Sequence, residues 1–249
     1  MEVHHHGHVH HNKKWKEYLF QFFMLFLAVF FGMLSEYLLE HIVEHNKEEQ
    51  YINSFIHNIK DDTASLQRII KAGKEKEKGL DSLLVVAKGN INTPENRKLF
   101  YRWSLRTLFT IPTFISNDAT SIQLRNSGGY RLIQKRGVAD SLTAYDQLNK
   151  IVGMQGGYYS EYFNQVNSLW QQVIDLTVVT DTTYIGSHGF TGKPLPELIM
   201  DRGQKLQFNN KIIYFSGILK SYDLVLQKML DYASRLIVFL QKEYKVKEE

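Results

Sequence analysis

Five residues, His41-Ile-Val-Glu44-His45, carry the most suggestive chemistry in the chain. In the pattern H-x-x-E-H, two histidines one helical turn apart hold Zn²⁺ and the glutamate serves as base toward a metal-bound water. No third ligand follows in a recognisable downstream motif. The five residues also sit within a run of glutamates four apart, Glu36, Glu40, Glu44 and Glu48, which forms an acidic ladder on one helical face. A peptidase pocket needs walls on several sides, and a single helix supplies few. Solvated polar residues are the first reading of His41 and His45, a metal site the second. A second store of imidazoles is the N-terminal tract, where His4, His5, His6, His8, His10 and His11 make up six of the ten histidines. Such a tract binds Zn²⁺, Cu²⁺ or Ni²⁺ without fixed geometry.

Other constellations are weaker. Gly153-Met-Gln-Gly156-Gly157 lacks the preceding strand and the Lys-Ser/Thr of a phosphate-binding loop, so it reads as an interruption of a helix. Arg125 and Arg131 flank a Ser127-Gly128-Gly129 turn and are candidates for holding an anion, with a structural salt bridge as the alternative. Tyr158 and Tyr162, with Tyr159, Phe163 and Trp170, are candidates for lining a ligand pocket, although their helical spacing suits a core. Asp61-Asp62 and the pair Glu75/Glu77 read as solvated surface acids. His57 and His188 have no nucleophile context. The absence of cysteine excludes disulfides and Cys-based metal or nucleophile sites. A formal charge of +4 with dispersed basic residues gives no concentrated face for nucleic acid. We expect no enzyme activity and no cofactor.

The element that must position everything is Tyr18–Leu39, YLFQFFMLFLAVFFGMLSEYLL. At about 1.5 Å per residue it is long enough to cross a hydrocarbon core of roughly 30 Å. Trp15 and Tyr18 mark one boundary and Tyr37 the other. Lys13, Lys14 and Lys16 precede the stretch, and no Lys or Arg follows until Lys47, which predicts a cytoplasmic N-terminus. The apolar run exceeds a signal-peptide core and lacks a small-x-small cleavage site. Ala28 and Gly32 form a small-xxx-small face through which two such helices could approach.

Beyond the anchor, Ile52, Phe55, Ile59, Leu66, Ile69, Leu80 and Leu83 follow a 3-4 spacing, with polar breaks at Asp62 and Lys76. This predicts one amphipathic helix running to about Ala87, loosened at Gly73 and Gly79. Thr93-Pro94 starts a helix that runs to about Phe109, and Ser116 or Asn117 caps a short one ending at Gly128-Gly129. A long helix is expected from Val138 to about Val179, interrupted near its three glycines. Residues 181–196 form an irregular loop with room for a hairpin. Ile212, Phe215, Leu219, Tyr222, Leu226, Met229, Ala233, Leu236 and Leu240 keep strict 3-4 spacing, as in a helix packed within a bundle.

Three stretches also resemble a group of bacterial single-span membrane proteins without an assigned activity: the MEVHHH start before a basic-aromatic anchor, the exit helix LAVFFGMLSEYLLEHIVEHNKEEQYINSFIHNIKDDTASL, and the block SNDATSIQLRNSGGYRLIQKRGVADSLTAYDQL. In the block the matching residues are Thr120, Leu124, Ser127, Gly128, Arg131, Leu132, Ile133, Leu142 and Tyr145. The resemblance implies an inner-membrane protein with a periplasmic domain.

The expectation is an all-α protein. Residues 1–16 form a His-rich, basic cytoplasmic tail, 17–39 a transmembrane anchor continuous with a long helix, and 40–249 an extracytoplasmic antiparallel bundle. Its partners are the lipid bilayer and either another membrane protein or further copies of itself, with no nucleic acid. The leading function is a non-enzymatic interaction or scaffold subunit, with Ala28, Gly32, Glu36, Glu40 and Glu44 as contact residues. The alternative is a ligand-sensing bundle that signals through a partner, and third comes a metal-dependent hydrolase using His41, Glu44 and His45.

Overall fold

The computed structural model describes residues 14–246. The chain is all-α apart from one two-stranded ribbon: α1 Lys14–Lys88, α2 Pro94–Leu108, α3 Ala119–Asn126, a 3-10 turn Gly129–Leu132, α4 Arg136–Val173, α5 Thr177–Thr180, β1 Ile185–Gly186, β2 Gly189–Phe190 and α6 Arg202–Tyr244. Two compact units divide it, residues up to Gln50 and residues from Tyr51 onward.

The first unit consists of the N-terminal part of α1. From Trp15 to Val43 its large apolar side chains lie almost entirely on the surface, and none of its most apolar stretch is buried. Among the described residues α1 is the one helix long and apolar enough to cross a membrane.

In the second unit the remainder of α1 contributes a buried stripe, Ile52, Phe55, Ile59, Leu66, Ile70, Leu80, Leu83 and Ala87. The helix continues through Gly73 and Gly79, and each glycine faces a neighbour that a methyl group would strike: Asp223 at Gly73 and Thr107 at Gly79. Thr93 caps α2, its hydroxyl accepting from Asn96 N–H, and Pro94 occupies the first turn, where no N–H is needed. Asp118, rather than Ser116 or Asn117, precedes α3. After α3, Gly128 adopts φ 66°, the left-handed conformation that glycine tolerates, and the 3-10 turn follows.

α4 runs without interruption through Gly153, Gly156 and Gly157. An added methyl at Gly156 would lie 3.4 Å from the Tyr222 hydroxyl, an ordinary van der Waals contact, and open space surrounds Gly153 and Gly157. Burial of Val152, Tyr159, Phe163 and Val166 on the same helix outweighs the propensity cost of about 1 kcal/mol per glycine. The helix ends at Val173, earlier than the apolar pattern suggests, and α5 is a separate turn. The expected hairpin is present, with Ile185 paired to Phe190 and Gly186 to Gly189. Asp201 and Gln204 then form a reciprocal capping box that starts α6, and all nine of its 3-4 positions from Ile212 to Leu240 are buried. α4 and α6 pack antiparallel, Tyr159 stacking between Phe215 and Tyr222 at ring distances of 5.4 and 5.0 Å.

Candidate functional site

Three charged side chains inside the second unit each tie the segment between α1 and α4 to the long helices. Asp62 and Lys76, read from the sequence as polar breaks, are both buried, and Asp62 is not a surface acid. Counting from Ile52 in alternating steps of three and four, both fall on the apolar stripe, which is why they point inward. Lys76 donates to the carbonyls of Thr107 and Thr110, the latter at 2.7 Å, where α2 leaves its C-terminal carbonyls unpaired. Its ammonium lies 4.7 Å over the Phe163 ring. Burial lowers its pKa to about 8.

The Asp62 carboxylate accepts from Asn117 N–H at 2.7 Å and from the Tyr145 hydroxyl at 2.6 Å, joining α1 to the start of α3 and to α4. Burial raises its pKa, and these two hydrogen bonds oppose the rise. Asn58 adds a bond to the Thr120 hydroxyl at 2.8 Å. Asp146, on α4, accepts from Ser121 at 2.6 Å, Tyr130 at 2.8 Å and Arg125 at 3.1 Å. One carboxylate thereby holds both α3 and the 3-10 turn. Burial, reinforced by the hydrogen bond to Asp146, pushes the Tyr130 hydroxyl up to about 12.

A fourth buried charge ties nothing down. Asp223, on α6, is 6% exposed and lies against Gly73 of α1. Among the described residues no hydrogen-bond donor reaches its carboxylate. Burial, followed by the charge of Glu77, raises its pKa to about 6, with Lys74 opposing. Glu77 is itself paired with Lys220 at 2.9 Å. From α4, the hydroxyl of fully buried Tyr159 also lacks a partner, and burial and then the nearby Asp223 raise its pKa. Tyr222 accepts from Phe114 N–H at 3.1 Å.

The residues singled out from the sequence are scattered. His41 is exposed; His45 lies 3.8 Å from Glu48 and 3.5 Å from Glu49. Among the described residues no group of three His, Asp or Glu side chains is arranged to hold a metal. His4, His5, His6, His8, His10 and His11 lie outside the described residues. Ala28, Gly32, Glu36 and Glu40 are exposed, Glu44 is half-buried and Glu48 is buried. Open space surrounds Gly32. Arg125 pairs with Asp146, while Arg131 is exposed in the 3-10 turn. Tyr158 is exposed further along α4, and the Tyr162 ring lies 4.9 Å from that of Tyr214. Asp146 and Tyr158 are separated by roughly 18 Å of helix at 1.5 Å per residue, so the two arginines and the two tyrosines do not converge.

Asp146 and Asp223 gave no sequence signal of their own. Each directly follows a buried tyrosine, Tyr145 or Tyr222, and lies at the margin of the apolar stripe.

No family model, curated protein or solved structure matches this chain.

Proposed function

We propose that the chain is a membrane-anchored, non-enzymatic interaction or scaffold subunit of a membrane-associated assembly. In this reading the apolar stretch of α1 spans the inner membrane, the basic N-terminus is cytoplasmic and the residues after the span are periplasmic. The observation that carries it is an uncovered apolar flank on the α4–α6 pair. Ile151, Met154 and Tyr158 are exposed on α4 and Tyr214 on α6, the two helices being bridged there by the Tyr162–Tyr214 contact. No charged residue occurs between Lys150 and Glu161 on α4, or between Lys211 and Lys220 on α6. Exposed apolar side chains on two adjoining helix stretches without charge are a feature of protein contact sites. The charges inside the bundle support the same reading, since Asp62, Lys76 and Asp146 are all engaged in holding the fold together.

The test is extraction of the full chain in mild detergent, with mass spectrometry of co-purifying proteins and measurement of particle mass. The expected result is a stoichiometric partner that is lost when Met154 and Tyr158 are both changed to Glu, with helix content unchanged. A ligand-sensing bundle is the second reading, favoured by a cleft of about 310 Å³ beside Lys76 and Arg106. A clean monomer carrying a small molecule would select it over the scaffold.

A further inference from the structure

Asp62, Lys76 and Asp146 each have a structural task, and Asp223 has none, yet the chain makes room for it. Gly73 is the residue that allows its carboxylate to sit between α1 and α6: a methyl group there would lie 2.4 Å from one oxygen and 2.9 Å from the other. A carboxylate this nearly buried, with no protein donor among the described residues, costs more when ionised than when protonated.

We propose that Asp223 is a proton-operated latch between α1 and α6: the neutral carboxyl sits against Gly73 and closes the contact, and ionisation drives it outward and loosens α6 at that level.

The charges around Asp223 favour this behaviour. From α1, Glu77 repels the ionised form and Lys74 attracts it. From α6 itself, Lys220 is the nearby cation, but it is engaged with Glu77. From α4, Tyr159 presents a hydroxyl without a partner, and its ring stacks on Tyr222. The Lys76 ammonium, one turn along α1 from Gly73, is committed to the carbonyls of Thr107 and Thr110. That leaves Lys74, exposed on α1, as the cation that attracts the ionised form. With its pKa raised to about 6, the carboxyl changes charge just below neutral pH. The latch does not depend on the scaffold reading or on which side of a membrane the bundle lies.

The experiment is hydrogen exchange by mass spectrometry on the full chain in detergent between pH 5 and pH 8, corrected for the intrinsic pH dependence of exchange. In the wild type, peptides covering Phe215–Leu230 should open about tenfold more readily at pH 8 than at pH 5, the factor expected if Asp223 regains an ordinary carboxylate pKa on opening. Asp223→Asn should remove this pH dependence, and Glu77→Gln should move its midpoint to lower pH. Equal pH dependence in the wild type and Asp223→Asn overturns the proposal. If Asp223→Asn does not fold, infrared titration of the wild-type carboxyl bands decides. A protonated carboxyl that persists to a midpoint near pH 6, and that Glu77→Gln shifts, supports the latch; ionisation of every carboxyl in the ordinary range refutes it.

Discussion

Replacing Gly73 with alanine tests whether the glycine is there for Asp223. In an exposed helix interior the change would stabilise by about 1 kcal/mol, because alanine loses less backbone entropy. Here the new methyl meets Asp223 Oδ1 at 2.4 Å, Oδ2 at 2.9 Å and Cγ at 3.0 Å. The aspartate side chain is short and buried, so relief requires a new rotamer or separation of α1 from α6. Overpacking of this kind costs about 1–3 kcal/mol. Set against the helix gain, Gly73→Ala should cost the wild type a net of about 0–2 kcal/mol, a fall in Tm of up to about 8 °C for a domain of this size. In an Asp223→Ala background the oxygens are gone, and the same change should stabilise by about 1 kcal/mol. The difference between the two backgrounds is the overpacking cost itself, a coupling energy of about 1–3 kcal/mol, measurable as a double-mutant cycle by urea unfolding of the full chain in detergent. Additive effects, or stabilisation by Gly73→Ala in both backgrounds, would refute the steric argument.

Asp146→Ala removes the shared acceptor of Ser121, Tyr130 and Arg125; a loss of about 2–4 kcal/mol is expected, with hydrogen exchange rising first over residues 119–132. Lys76→Met leaves the Thr107 and Thr110 carbonyls without their donor and should cost about 2–3 kcal/mol in urea unfolding. Because the folded-state pKa of Lys76 lies near 8, below its unfolded value, the unfolded chain binds more protons above pH 8. The stability of the wild type relative to Lys76→Met should therefore rise between about pH 8 and 10, as seen in unfolding midpoints across that range. Asp62 and Asp223 act in the opposite sense: each folded pKa is raised, so each withdraws stability as pH climbs above the ordinary carboxylate range, for Asp223 through about 6, and the fall should be less steep in Asp223→Asn. In alkaline carbonate extraction the full chain should stay with membranes, whereas a chain beginning at Tyr51 should appear in the supernatant.

Much of the architecture was legible because the apolar spacing repeats strictly. The 3-4 series from Ile212 to Leu240 marks the buried face of α6 residue by residue, and Thr93-Pro94 marks the start of α2. The glycines of α4 misled because propensity is local, whereas the packing that holds α4 straight, Tyr159 against Phe215 and Tyr222, comes from α6, far along the chain. Asp62 and Lys76 interrupt the apolar pattern by residue type but keep its phase, and phase decides which way a helical side chain points. What the sequence could not supply was the identity of their partners. The carbonyls of Thr107 and Thr110 become acceptors only because a neighbouring helix ends there.

The contact between α1 and α6 has a consequence for synthesis. Gly73 and Glu77 meet Asp223 and Lys220, residues made roughly 150 positions later. At about 5–20 residues per second, a ribosome takes on the order of 10–30 s to supply that surface. Until then Gly73 and Glu77 have no α6 against them. The ties of α1 to α2 and α4, through Lys76 and Asp62, can thus form before the seam with α6, which closes last.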